Sequence, residues 1–207
     1  PYIDTVINPE IEVVNTIRRL MKVPCAVDMG ELAEGRVIFV GIVLDKKSPM
    51  AGLKLMDFGA MFGQSRPLIA AVVRNESLIV PRGHHTLEPG DLVYFICEHI
   101  RLEQTLQLFD KDIRPLKRVM IVGGGRIGRR LAKSLESDSI HTKIIEKDKK
   151  RCSVIAEGMN KAIVLNGDGS DQKLLIEENI KDVDAFVALT NDEETNILVS
   201  LLAKNLG

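Results

Sequence analysis

The stretch Arg118-Val119-Met120-Ile121-Val122, followed at once by Gly123-Gly124-Gly125-Arg126-Ile127-Gly128, constrains this chain more than any other. A continuous apolar run predicts a strand covered on both faces, as in a parallel sheet. The glycines match the spacing G-x-G-x-x-G, and Ile127, Leu131 and Leu135 then recur on one face of a helix. Downstream the pattern alternates: strand 142–146, helix 148–157, strand 162–165, helix 171–179, strand 184–189 and helix 192–205. This alternation predicts an α/β fold, a Rossmann-like doubly wound parallel sheet. Four strands are fewer than a complete sheet of this kind holds, so a truncated domain is expected.

The glycine pattern alone is common; here strand, turn and helix stand in register around it. Gly123 permits the tight turn, Gly125 lets a pyrophosphate approach the backbone, and Gly128 lets helix and strand pack closely. The phosphates would sit on the helix N-terminus, where free N–H groups and the positive end of the dipole converge. Glu146 ends the second strand, about 20 residues on, where a carboxylate accepts bonds from ribose hydroxyls and repels a 2′-phosphate. NAD(H) or an adenine nucleotide is thereby favoured over NADP(H). Against this, Lys147, Lys149, Lys150 or Arg151 is placed to neutralise such a phosphate. Asp168 and Gly169, after the third strand, read either as an adenine or ribose wall or as a turn, with Ser170 or Asp171 capping the next helix. Thr190 and Asn191 end the fourth strand at the edge where ligands bind, and Thr190-Asn191-Asp192-Glu193 also fits a capping box. Asp192-Glu193-Glu194 is a poor metal set, because consecutive helical residues diverge around the axis.

The preceding half reads differently. A short apolar alternation, residues 2–7, leads into Asn8-Pro9-Glu10, a helix start with Ile11, Val14, Ile17 and Leu20 as its apolar stripe. Residues 23–110 read as mostly strands: Arg36–Leu44, Pro67–Arg74, a hairpin return at Leu78-Ile79-Val80, and Leu92–Cys97. Ser48-Pro49 predicts a short helix start, and 99–110 a closing helix with Ile100, Leu102, Leu106 and Phe109 apolar. The polar run Asp110–Pro115 is the expected domain boundary. His84-His85 reads as a surface pair in a loop. Cys25, Cys97 and Cys152 lack CxxC spacing and read as small apolar residues.

Composition narrows the partners. Net charge is −1 overall, −2 before Pro115 and +1 from there on, so neither half is a default binder of nucleic-acid phosphates. Three Cys fit a reducing compartment. No apolar run approaches the roughly 18–20 residues a membrane span needs, and no charged leader with an apolar core is present. The chain begins at Pro1 and stops at Gly207, which suggests an excised fragment.

Four segments together resemble the RCK/KTN domain family: Val119–Gly128, Ile144-Ile145-Glu146-Lys147-Asp148, Asn166-Gly167-Asp168-Gly169, and Ala188-Leu189-Thr190-Asn191-Asp192-Glu193-Glu194-Thr195-Asn196. Residues 28–98, with Ile79-Val80-Pro81-Arg82-Gly83 and Leu87-Glu88-Pro89-Gly90-Asp91, resemble its small α+β C-terminal subdomain. Within the family the chain resembles the regulatory subunits of bacterial Trk potassium-uptake systems. The resemblance implies three parts: residues 1–22 as the last strand and helix of a preceding KTN domain, 23–114 as the C-terminal subdomain, and 115–207 as a second, truncated KTN domain. It implies cofactor contacts at Gly123, Gly124, Gly125, Arg126 and Ile127, with Glu146, Thr190 and Asn191. Lys147, Asp168, Gly169 and Gly128 complete the candidate set.

Motif and resemblance together lead to the expectation of a non-enzymatic nucleotide sensor, taking NAD(H) or an adenine nucleotide (ATP or ADP), that gates a membrane potassium-transporter subunit. It would be a homo-oligomer, a dimer within a larger ring, cytoplasmic and peripheral to the membrane's inner face. No nucleic acid and no direct membrane insertion are expected. The competing class is an NAD-dependent oxidoreductase whose substrate domain is missing or unrecognised. That class needs an acid/base beside the nicotinamide, and His141 precedes the second strand, opposite the strand ends. A third class is a pure assembly module with a vestigial loop.

Overall fold

The computed structural model describes residues 8–63, 66–111 and 115–207. The expected strand within residues 2–7 and the end of the predicted boundary, 112–114, lie outside them. The chain divides into two compact units. Lys22–Arg114 forms one; Pro115–Gly207 forms the other, together with the residues up to Met21.

Lys22–Arg114 is built on a five-stranded antiparallel sheet: β1 (Ala26–Leu32), β2 (Val37–Val43), β3 (Leu68–Arg74), β4 (Ser77–Ile79) and β5 (Leu92–Glu98), in the order β1-β2-β5-β3-β4. Alternation sets its core. Ile38, Val40 and Ile42 of β2 and Val93 and Phe95 of β5 are fully buried on one face. Asn75 and Glu76, both at positive φ, close the β3–β4 hairpin. Gly41 is required: a Cβ there would come within 2.6 Å of the Tyr94 ring, which stacks on Phe39 at 5.0 Å across the glycine.

One expectation fails in this unit. Ser48–Gly52 is a turn, not a helix start. Ser48 Oγ does accept the Met50 N–H, at 3.3 Å, but Gly52 sits at φ +86° and its N–H goes to the Leu87 carbonyl instead of up a helix. The helix comes later, as α2 (Phe58–Phe62). The closing helix α3 (Leu102–Leu108) follows a 3₁₀ turn, so Leu102, Leu106 and Phe109 point inward while Ile100 is 86% exposed. Phe109 stacks on Phe95 at 5.2 Å.

The other unit is the predicted parallel sheet. Strands β6 (Arg118–Val122), β7 (His141–Glu146), β8 (Ile163–Asn166) and β9 (Ala185–Ala188) run in the order β8-β7-β6-β9, all pairs parallel. Helices α4 (Arg126–Ser137), α5 (Lys149–Glu157), α6 (Gln172–Glu177) and α7 (Glu193–Leu206) connect or follow them. Both sheet faces are covered, which explains the unbroken apolar run of β6. Ile121 packs with Leu131, Leu135 and Ile155, whereas Met120 and Val122 pack with Leu175 and Ala203.

The first helix, α1 (Pro9–Lys22), is capped by Asn8 Oδ1, which accepts the Glu10 N–H at 3.1 Å. Val14 is buried against this sheet's core, with Ile17 and Met21 beside it. Ile11, expected on the same stripe, is 41% exposed. Val14 and Ile17 lie on the packed stripe as expected, and Met21 takes the place read for Leu20.

Candidate functional site

Strand order fixes where a ligand can lie. β6 is flanked by β7 on one side and β9 on the other, so the connections leaving β6 and β9 diverge and open a crevice at their carboxyl ends. A cavity of about 500 Å³ lies there. Its floor is Val122, Gly123 and Gly125. One wall is polar, with Glu146, Lys147, Arg151, Asp168 and Ser170; the other is mixed, with Leu189, Leu198 and Val199 beside Thr190, Asn191, Asp192 and Thr195.

The glycine turn is fixed from three sides. Gly123 has φ +104°, and a Cβ on it would lie 2.5 Å from the Leu189 carbonyl oxygen. A Cβ on Gly128 would lie 2.0 Å from the Gly123 carbonyl oxygen, so α4 can pack on its own turn only with glycine there. Gly124 presses against Ile155 of α5. Gly125 is different: a Cβ there meets nothing within 4 Å, because it faces the cavity.

Helix α4 lacks a side-chain cap. Its N-cap is Gly125, and no side chain accepts its first N–H groups. The other three helices of this unit that follow strands carry aspartate caps: Asp148 accepts from the Arg151 N–H, Asp171 from Lys173 and Asp192 from Thr195. An α-helix leaves its first N–H groups without intrahelical partners. Those of α4 are left for a ligand at the edge of the cavity, where the helix dipole favours an anion.

Glu146 is buried and held by backbone. Its Oε2 accepts the Gly124 N–H at 2.9 Å and its Oε1 accepts the Asp148 N–H at 2.9 Å. Arg151 Nη1 lies 3.8 Å from Oε2. Asn166 donates to the carbonyls of Glu146 and Lys147, both at 3.0 Å, and so ties the ends of β7 and β8 together. Lys147 Nζ reaches Asp168 Oδ2 at 2.8 Å, and Ser170 donates its N–H and hydroxyl to Asp168 Oδ1. The Lys147 ammonium, then the Ser170 donors, hold the Asp168 carboxyl down at about 2. The same pair raises Lys147.

Thr190 is organised by Asn196 of α7. Asn196 Oδ1 accepts both the Thr190 N–H and its hydroxyl, each at 2.8 Å. The cap of α7 is Asp192, not Thr190, so the capping box read from Thr190 and Glu193 is not formed. Instead, Thr190 and Asn191 face the cavity.

Of the candidate residues, Gly123, Gly125, Glu146, Lys147, Asp168, Thr190, Asn191 and Gly169 line one cavity; Gly124, Arg126, Ile127 and Gly128 do not. Gly124 and Gly128 serve packing, and Ile127 joins the core. Arg126 lies outward, with its Nε 3.0 Å from Glu10 of α1. Arg151 and Ser170 line the cavity in addition to the candidate set. Asn196, which positions Thr190, has no sequence signal of its own beyond its place in the Thr190–Asn196 motif. Cys152 is buried, and burial pushes its thiol up, so the basic neighbours in sequence do not activate it. His85 Nδ1 accepts the Arg82 N–H at 2.9 Å, a loop bond. No group of three or more potential metal ligands occurs among the described residues.

The TrkA-C domain family model matches residues 39–110, and the TrkA-N domain model matches 119–207. The chain therefore carries a TrkA-C domain followed by a TrkA-N domain. Trk system potassium uptake protein TrkA of Haemophilus influenzae is 40% identical over 208 residues, covering 99% of this chain and 44% of that protein. Those of Halomonas elongata and Azorhizobium caulinodans are 38% and 36% identical, each over 99% of this chain and 45% of the relative. The chain thus spans less than half the length of these relatives. Among solved structures, the RCK domain of GsuK matches 96% of this chain and 42% of its own, with a TM-score of 0.58 at 20% identity. A GsuK channel bound to NAD matches with a TM-score of 0.57 at 20% identity, covering 96% of this chain and 35% of that one. That likeness carries the RCK fold.

Proposed function

We propose that this TrkA-type chain is the nucleotide-sensing part of a regulatory subunit for a membrane potassium transporter, and that it catalyses no reaction. Its ligand is NAD(H) or an adenine nucleotide such as ATP or ADP, with phosphates on the α4 N-terminus and ribose toward Glu146. The observation that carries this reading is the uncapped α4 N-terminus facing a cavity whose polar wall includes Glu146. Its TrkA relatives are potassium uptake proteins by name. The oxidoreductase reading finds no support in the cavity: no histidine lines it, and His141 begins β7, at the opposite end of the strand.

Sensing follows from linkage. A nucleotide shifts a two-state equilibrium only by its difference in affinity for the two states. Loops from all four strand ends meet at this cavity, so a ligand that draws them together acts on the whole sheet edge. The response would pass through a homo-oligomer, a dimer within a ring, to the transporter at the inner membrane face.

The test is thermal unfolding of the chain with NADH, NAD, NADPH and ATP, alongside Gly125→Asp. Ligand at about ten times its dissociation constant adds roughly 1.4 kcal/mol, a shift of several degrees for a unit of this size. Gly125→Asp places a carboxylate where the phosphates belong and abolishes the shift. No shift with any nucleotide contradicts the reading.

A further inference from the structure

The cavity holds two cations, Lys147 and Arg151, and three carboxylates, Glu146, Asp168 and Asp192. Neither cation stands alone. Arg151 lies 3.8 Å from Glu146, whose position is already fixed by two backbone N–H groups. Lys147 is bound to Asp168 at 2.8 Å, though its side chain is 82% exposed and otherwise free to sample many rotamers. Asp168 is well placed to hold it, because Ser170 orients the carboxylate through two bonds to the other oxygen.

Lys147 directly follows the acid that ends β7. A cation at this place is what a Rossmann-type site uses to accept the 2′-phosphate of NADP(H). We propose that Asp168 is a specificity residue: by binding Lys147 it withholds that cation, and the cavity rejects a 2′-phosphorylated dinucleotide. Glu146 repels the same phosphate directly, and Asp168 disarms the lysine positioned beside it to offset that repulsion. This inference rests on the nucleotide reading above and names the ligand class within it.

The test is titration of the 207-residue chain with NADH and NADPH, followed by dinucleotide fluorescence. Wild type is compared with Asp168→Asn, Lys147→Met and the double variant. Asparagine keeps an oxygen for the Ser170 bonds and loses the charge that holds Lys147. Asp168→Asn should tighten NADPH binding relative to NADH by about five-fold, the scale of an exposed ion pair. Adding Lys147→Met should remove that gain, and Lys147→Met alone should leave the wild-type preference. An unchanged preference in Asp168→Asn overturns the proposal. So does a gain that survives in the double variant, since the effect is then lost repulsion and not a released lysine. Binding of neither dinucleotide to wild type overturns the dinucleotide reading on which this proposal rests.

Discussion

Glu146 Oε2 accepts the Gly124 backbone N–H at 2.9 Å, so the acid expected to meet a ribose also clamps the glycine turn beside it. The two jobs are compatible because a carboxylate has about four lone-pair sites. Glu146→Ala should therefore do two things at once: weaken nucleotide binding, and strand the N–H groups of Gly124 and Asp148. An unsatisfied buried donor costs about 1–3 kcal/mol. Denaturant unfolding without ligand measures that cost, and Glu146→Gln, which keeps an acceptor, should recover part of it.

The glycines of the turn should separate by role. Gly128→Ala puts a Cβ 2.0 Å from the Gly123 carbonyl oxygen and should destabilise the unit by more than about 1 kcal/mol. Gly125→Ala meets nothing within 4 Å and should leave stability near wild type while weakening nucleotide binding. Unfolding and ligand titration of both variants check the contrast.

Arg74 carries the antiparallel unit's central ion pair. Its guanidinium makes two bonds to Asp91, at 2.7 and 2.8 Å, and also binds Glu88 and the Thr86 carbonyl. The Asp91 side chain is 1% exposed. Arg74→Ala leaves that carboxylate buried with only the Glu88 N–H, at 2.8 Å, to hold it, so the loss should approach but not exceed about 3–5 kcal/mol. Chemical denaturation of the variant gives the value.

Acid should loosen the cavity mouth. The Asp168 carboxyl, held at about 2 by Lys147 and Ser170, lies below its ordinary 3.8. A depressed folded value means stability that is present above the unfolded pKa and lost as pH falls through the folded one. The window is thus about pH 4 to 2, and solvent screening keeps the loss below about 1 kcal/mol. Carboxyl NMR titration of Asp168 should show its low midpoint, and Lys147→Met should raise it.

Helix α1 docks by charge as well as by its apolar stripe. Glu10 meets Arg126 and Arg130 near one end of α4, and Arg18 meets Asp138 at the other. Val14→Asp should release the helix, seen as fast amide exchange over 10–21, while the parallel sheet stays protected. Equal exchange in wild type and variant would contradict this docking.

The parallel unit is legible in the sequence because each cue agrees: the unbroken run of β6, the glycine spacing and the acid ending β7 all require one local geometry. The failures share a cause, in that each depends on a contact from elsewhere in the chain. Spacing places Arg126 in the motif but does not say which way it points. Ile127, Gly128 and Leu131 must face the sheet, and that rotation sends Arg126 outward to Glu10. The Ser48 cap is recognisable, but not that the Leu87 carbonyl takes the Gly52 N–H and stops the helix. Asn196 is unreadable as the partner of Thr190, because the bond crosses a turn whose shape depends on Asp192 capping α7.

The most direct test of the site is an amide NMR titration of the 207-residue chain with NADH. Resonances of Gly123, Gly125, Arg126, Glu146, Asp168 and Thr190 should move together on one binding curve, with those of β1–β5 unchanged. Absence of any shift, or shifts confined to the antiparallel unit, would contradict an NAD(H) site at the α4 N-terminus.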